Sequence, residues 1–214
     1  MSNSMQSFAI ILDALRNRLE GRDAKIDWDD ICDYLNNYLA IEFENYLKIK
    51  HLFITDPIVV GRTATYIKNE GEKGVSLLKS RKIWDFTDFE EVAVIPYKTA
   101  VRQKIPKDVI ERRDEETFKT YLQRALKGLA YLVDKDCFKV LQEFTSPDGT
   151  KIAMGGEDRW IYVNFNKLFV YFALKRPIMC DFDEDKNAKT YDIVISLKYT
   201  PVVIENRQEP QPEA

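Results

Sequence analysis

EETFKTYLQRALKGLAYLVDKDCFKVLQEF, residues 115–144, carries the strongest periodic signal in the chain. Phe118, Leu122, Ala125, Leu126, Leu129, Val133 and Phe138 recur at helical spacing and therefore share one face. The pattern predicts a helix from about Glu115 to Phe144, with Asp114 or the acidic pair Glu115 and Glu116 suited to its positive N-terminal end. At 1.5 Å per residue it would be roughly 40 Å long, more than a compact domain of this size usually needs, so it reads as a spine. The TSPDGT that follows predicts a turn.

Upstream of the spine the pattern is β-prone. FITDPIVV and TATYIKN are short strand-like runs, and a glycine-bearing polar turn spans Glu70 to Gly74. EEVAVIPYKTAVRQKI reads as one or two strands, with Pro96 marking an edge or a bend. Gly61 to Tyr97 is therefore a long excursion of two strands. Between its arms lie Trp84, Phe86 and Phe89, aromatic side chains with little local core and so in need of a covering surface.

The two ends differ in kind. Phe8, Ile11, Leu12, Leu15 and Leu19 predict an amphipathic helix stopped by Gly21. Asp27 is placed to cap a second helix, whose stripe of Ile31, Tyr34, Leu35, Tyr38 and Leu39 extends toward Phe43, Tyr46 and Leu47, ending near His51. The last third is β-rich: WIYVNFNKLFVYFAL, RPIMCDF and YDIVISLKYTPVVIEN, with the acidic DFDEDKNAKT joining two antiparallel strands. Beyond Glu205 the tail NRQEPQPEA is polar and proline-bearing, which predicts disorder or extension.

Composition narrows the chemistry. A chain of 214 residues, 45% hydrophobic and 31% charged, suits one large domain or one domain with an extended arm. Its aromatic content, 12 Phe, 11 Tyr and 3 Trp, suits strands and subunit contacts. A net charge of -3 gives no global positive field for a polyanion, which disfavours a dedicated nucleic-acid binder. Cys32, Cys137 and Cys180 are distant and odd in number, fitting neither a disulfide framework nor a metal cluster, and a reducing compartment is the natural reading. The apolar run near the N-terminus is broken by Asp13 and Arg16 and is too short for a signal peptide or a membrane span, so no membrane partner is expected.

Catalytic and metal motifs are weak. The single histidine, His51, has no nucleophile signature beside it and reads as structural or exposed. Gly71, Gly74, Gly155 and Gly156 read as turn glycines rather than a phosphate cradle. Asp181, Asp183, Asp185 and Asp192 fall at calcium-loop positions, but Lys186 stands where the sharp turn needs glycine, so an acidic hairpin turn is the better reading. Asp134 and Asp136 are two apart on a helix and do not face each other, which argues against an acid-base pair. No catalytic residue, metal or cofactor is expected. Lys98, Arg102, Lys104, Lys107, Arg112 and Arg113 form a local basic run, a solvated surface or one able to meet phosphates without reading sequence.

Taken in order, these elements resemble the major-capsid fold shared by tailed double-stranded-DNA phages, related archaeal viruses and encapsulin compartments. GRTATYIKNEGEKG and FEEVAVIPYKTAVRQKIPKDVIER are similar to the arms of that family's extended loop, leading into the strand before the spine. ETFKTYLQRALKGLAYLVDKDCFKVL is similar to its spine helix, and FNKLFVYFALKRPIMCDFDEDKNAKTYDIVISLKYTPVVIEN to its closing peripheral-domain strands. The resemblance covers most of Val59 to Asn206.

It implies an α+β fold with an extended hairpin-like loop at 53–98 and the spine helix and an antiparallel peripheral-type β domain at 99–205; the helical region at 1–52 departs from the extended N-terminal arm common in that family, and a flexible tail follows at 206–214. Only about Thr145 to Glu157 separates the spine from the last strands, so the axial domain is expected to be reduced. The implied role is non-enzymatic: a self-assembling shell subunit, found in a virion assembled in the host cytoplasm or in a cytoplasmic particle. Its implied partners are copies of itself, scaffold or other shell proteins, and packaged DNA.

Tyr66, Lys68, Glu70, Trp84, Phe86 and Phe89 are the expected intersubunit contacts, and Arg102, Lys104, Lys107, Arg112 and Arg113 the candidate DNA-facing patch. Two alternatives stay open: a small α+β nucleic-acid-binding or metal-dependent processing protein, and an encapsulin-like compartment subunit.

Overall fold

The computed structural model describes residues 8–22, 28–58, 64–69, 89–155, 158–185 and 190–205. Two α-helices come first, α1 (Phe8–Leu19) and α2 (Trp28–Glu44). Strands β1 (Ile54–Pro57), β2 (Ala64–Asn69), β3 (Phe89–Val94) and β4 (Tyr97–Ile105) follow. A short helix α3 (Lys107–Arg112) leads into the long helix α4 (Glu115–Gln142). Strands β5 (Thr145–Ala153), β6 (Trp160–Val163), β7 (Leu168–Asp185) and β8 (Thr190–Glu205) close the chain.

The chain forms two compact units, each drawn from three separate stretches. The first takes residues 1–47, 98–133 and 176–198. Here the spine face behaves as its periodicity requires: Phe118, Leu122, Ala125, Leu126, Leu129 and Val133 are all buried. α1 lays Phe8, Leu12 and Leu15 into the same core, and the Phe8 ring meets Tyr38 at 5.0 Å and Phe118 at 5.8 Å. Gly21 stops α1 as predicted. Its φ of 69° is left-handed, its amide bonds Arg18 O, and the Arg22 amide reaches Asn17 O, the paired bonds of a Schellman C-cap.

At the start of α4, Asp114 Oδ1 accepts the Thr117 amide at 3.0 Å and Oδ2 accepts the Thr117 hydroxyl at 2.7 Å. These bonds hold the Asp114 carboxyl below the ordinary carboxylate range.

The second unit takes residues 48–97, 134–175 and 199–214. Cys137, Phe138 and Leu141, from the end of α4, are buried in it, as are Phe53, Val170, Phe172 and Tyr199. Phe172 and Tyr199 stack with ring centroids 4.8 Å apart. β2 and β3 pair antiparallel as a two-stranded sheet of their own, Ala64 opposite Val94 and Asn69 opposite Phe89, which matches the two arms read from sequence.

The main sheet has the order β1-β7-β8-β4. Only the link 186–189 joins β7 to β8, too few residues for a parallel crossover, so the two are the expected antiparallel pair. β1 adds a parallel edge, Ile54 to Pro57 opposite Tyr171 to Leu174. β8 lies between two neighbours and only its last residue, Glu205, is exposed, which is why its sequence does not alternate cleanly.

Four local readings need correction. α2 ends at Glu44, before Tyr46 and Leu47, because the Asn45 and Tyr46 amides turn back onto Glu42 O and Phe43 O; its expected cap, Asp27, lies outside the described residues. Lys107–Arg112 forms one helical turn and a half after Pro106, too short a run to give a period. LFVYFAL and RPIMCDF are one continuous strand, β7.

TSPDGT, expected as a turn after the spine, is instead a bulge within β5: Thr145 and Thr150 both pair with Val163, and residues 146–149 fall between them. A Cβ at Gly149 would overlap the Val163 main chain, so no other residue fits without moving β6. Gly149→Ala should cost roughly 1–3 kcal/mol of stability, read as a lowered urea midpoint by circular dichroism; an unchanged midpoint would contradict this packing.

Candidate functional site

Of the six expected contact residues, three fall on the described hairpin. Tyr66 stands opposite Val92, Lys68 opposite Glu90 and Phe89 opposite Asn69. Glu70, Trp84 and Phe86 lie outside the described residues, as does the polar turn from Glu70 to Gly74.

The acidic pair of the spine is used twice, for different partners. Asp134 is 6% exposed, and its carboxylate accepts three consecutive main-chain amides: Lys48 on Oδ2 at 2.9 Å, and Ile49 and Lys50 on Oδ1 at 3.0 and 2.9 Å. Burial raises this carboxyl above the ordinary range, opposed by the three amides and by nearby His51. Asp136 Oδ2 accepts the hydroxyls of Tyr97 at 2.9 Å and Tyr199 at 2.6 Å. Burial, then the bond to Asp136, pushes the Tyr97 hydroxyl well above its usual value, so it remains a donor across the physiological range. Both carboxylates are occupied in holding backbone and side chains in place. His51 is exposed on the 3-10 turn Lys50–Leu52.

Large apolar side chains left open to solvent gather in the second unit. Among the described residues, six of the eight belong to it: Leu52, Ile54, Ile95, Tyr97, Trp160 and Tyr162. Trp160 is 55% exposed, packs edge-on to Tyr162 at 5.6 Å and carries the Lys151 ammonium 4.8 Å from its ring. Both rings border a groove of about 280 Å³ lined also by Thr145, Ser146, Pro147 and Ile161. Sequence reading missed this surface. WIYV announces a strand, and alternation puts Trp160 and Tyr162 on one face, but nothing local says that this face is the open one.

Half of the basic run is answered by acids. Arg102 bonds Asp183 at 3.1 Å and lies 3.5 Å from Asp192, so two carboxylates of the calcium-loop pattern face a guanidinium. Lys107 pairs with Glu111 at 3.0 Å and Arg113 with Asp13. Lys98, Lys104 and Arg112 are exposed. Among the described residues no group of three or more His, Cys, Asp or Glu is placed to hold a metal ion, and no helix is long and apolar enough to cross a membrane.

Paired N-terminal helices, a separate two-stranded hairpin, a long spine helix, a small two-stranded insert and two long closing strands define an α+β fold shared with the subunit of a virus-like particle. The crystal structure of a virus-like particle from Pyrococcus furiosus superposes with a TM-score of 0.52 at 7% identity, covering 82% of this chain and 95% of that one. A phage-related protein from Bordetella bronchiseptica RB50 gives 0.47 at 12% identity, covering 81% and 97%. The bacteriophage JBD30 capsid gives 0.42 at 9%, covering 76% and 65%. No family model matches the chain, and no curated protein matches it.

Asp134→Ala would strand three amides, one of them the buried Ile49 N–H, and should cost about 3 kcal/mol or more. Tyr97→Phe removes one exposed bond and should cost no more than about 1 kcal/mol. Urea denaturation of the two variants checks the ranking, and equal losses would reject it.

Proposed function

We propose that this chain is a structural shell subunit that self-assembles into an icosahedral or related hollow particle enclosing DNA or other cargo. The observation that carries the reading is the match to a virus-like-particle subunit over 82% of this chain and 95% of that one, since a shared element order over nearly the whole length leaves little room for a grafted catalytic domain. The exposed apolar residues of the second unit support it as well, because such surface is costly to leave wet and is a usual mark of association.

In this reading the hairpin supplies intersubunit contacts through Tyr66, Lys68, Glu70, Trp84, Phe86 and Phe89, and each contact is repeated by symmetry. A two-stranded hairpin gains little stability alone, which fits a segment completed by a neighbouring copy. Arg102, Lys104, Lys107, Arg112 and Arg113 form the surface that meets packaged DNA, with Lys104 and Arg112 contributing most because the other three already have acidic partners. The chain's work is mechanical, and an encapsulin-like compartment would use the same fold with a different cargo.

The purified chain should elute as a megadalton species in size exclusion and show hollow particles by negative-stain electron microscopy, with co-expressed scaffold where assembly needs it. Deleting 72–88 should abolish particles while leaving the helical circular dichroism intact. Full shells after that deletion would refute the role of the hairpin, and a monomer under every assembly condition would refute the shell.

A further inference from the structure

Cys32 and Cys180 are far apart in sequence, yet both belong to the first unit. On α2, Trp28, Cys32 and Asn36 are each one helical turn apart and so share a face. The outer two both touch β7. The Trp28 ring lies edge-on to Phe182 at 5.2 Å, and Asn36 Oδ1 accepts the Cys180 amide at 2.7 Å. Asparagine is short, so that bond holds the helix close to the strand. Phe182 and Cys180 are two apart on β7, so their side chains leave one face of the strand. Cys32 is thereby bracketed by contacts to the stretch that carries Cys180.

The two thiols also interact electrically. After burial, Cys32 is the next cause raising Cys180 above an ordinary thiol; burial, then Asp181, Asp29 and Asp33, raise Cys32, against Arg18.

We propose that Cys32 and Cys180 are a redox-gated pair that closes into a disulfide clamping α2 to β7. The oxidant is a low-molecular-weight disulfide such as oxidised glutathione. Cys32, the more exposed thiol, gives its proton to solvent, and its thiolate attacks one sulfur of the oxidant, forming a mixed disulfide and expelling one small thiolate. Cys180 then loses its proton, attacks Cys32 Sγ and expels the second small thiolate. Two protein thiols are oxidised and one small disulfide is reduced to two thiols. Burial and the neighbouring carboxylates keep the thiolates scarce, so closure is slow at neutral pH and quickens as pH rises. A reducing environment leaves the clamp open and an oxidising one shuts it. Cys137 is buried in the second unit and serves as an internal control.

The full chain, folded by circular dichroism, is treated with oxidised glutathione at mildly alkaline pH, then alkylated and mapped by non-reducing peptide mass spectrometry. The expected result is one peptide pair joining Cys32 to Cys180, alkylation at Cys137, and a urea midpoint that rises on oxidation and falls back with reductant. Cys180→Ala should stop at the glutathione adduct on Cys32, and Cys32→Ser should show neither adduct nor midpoint shift. A wild-type chain that ends with glutathione on Cys32 and alkylated Cys180, or with Cys32 joined to Cys32 of another copy, would overturn the proposal.

Discussion

One buried carboxylate sets where the edge strand of the second unit begins. Asp134 gathers the amides of Lys48, Ile49 and Lys50, which follow α2 and lead into the 3-10 turn Lys50–Leu52. With these donors satisfied, the chain can bury Ile49 and Phe53 and enter β1 in register with Tyr171 to Leu174. Without them, unpaired main-chain N–H groups would make the same path unfavourable. Asp136 does a related job, tying Tyr97 at the head of β4 to Tyr199 in β8. Two acids that resemble a catalytic pair on paper are thus charge-assisted fasteners, each aimed at a different partner.

Much of the fold was legible because its main elements announce themselves locally. The spine face of Phe118, Leu122, Leu126 and Leu129 is a 3.6-residue signal over many turns, and Gly21 can stop α1 wherever the helix packs. Pro96 separates β3 from β4 for a reason contained in its own ring. What failed depended on distant partners. SPDG has the composition of a terminal turn, and only Val163, opposite both Thr145 and Thr150, turns it into a bulge. β7 runs through Pro177 unbroken although its sequence offers a stopping point there. The open face of Trp160 and Tyr162 and the bond from the Cys180 amide to Asn36 are tertiary facts with no local signature.

The small sheets of the second unit bear on association. β2–β3 and β5–β6 are each two-stranded, an arrangement with little independent stability in water. Trp160 stands more than half exposed on one of them, while Ile95 and Tyr97 follow directly after the other. A monomeric enzyme would gain by burying such residues or replacing them with polar ones. A partner surface that covered them would make their burial favourable, and the cost of ordering a thin ribbon would be shared with that contact.

Charge sharpens the same view. With a net charge of -3, and with Arg102, Lys107 and Arg113 held by Asp183, Asp192, Glu111 and Asp13, the basic run has little unopposed field to gather a polyanion at distance. Those ion pairs are solvent-exposed and individually weak, so they set side-chain placement more than stability. A nucleic acid near this surface would meet cations that are in good part already answered by carboxylates, so its attraction to a single chain would be weak and readily lost to salt.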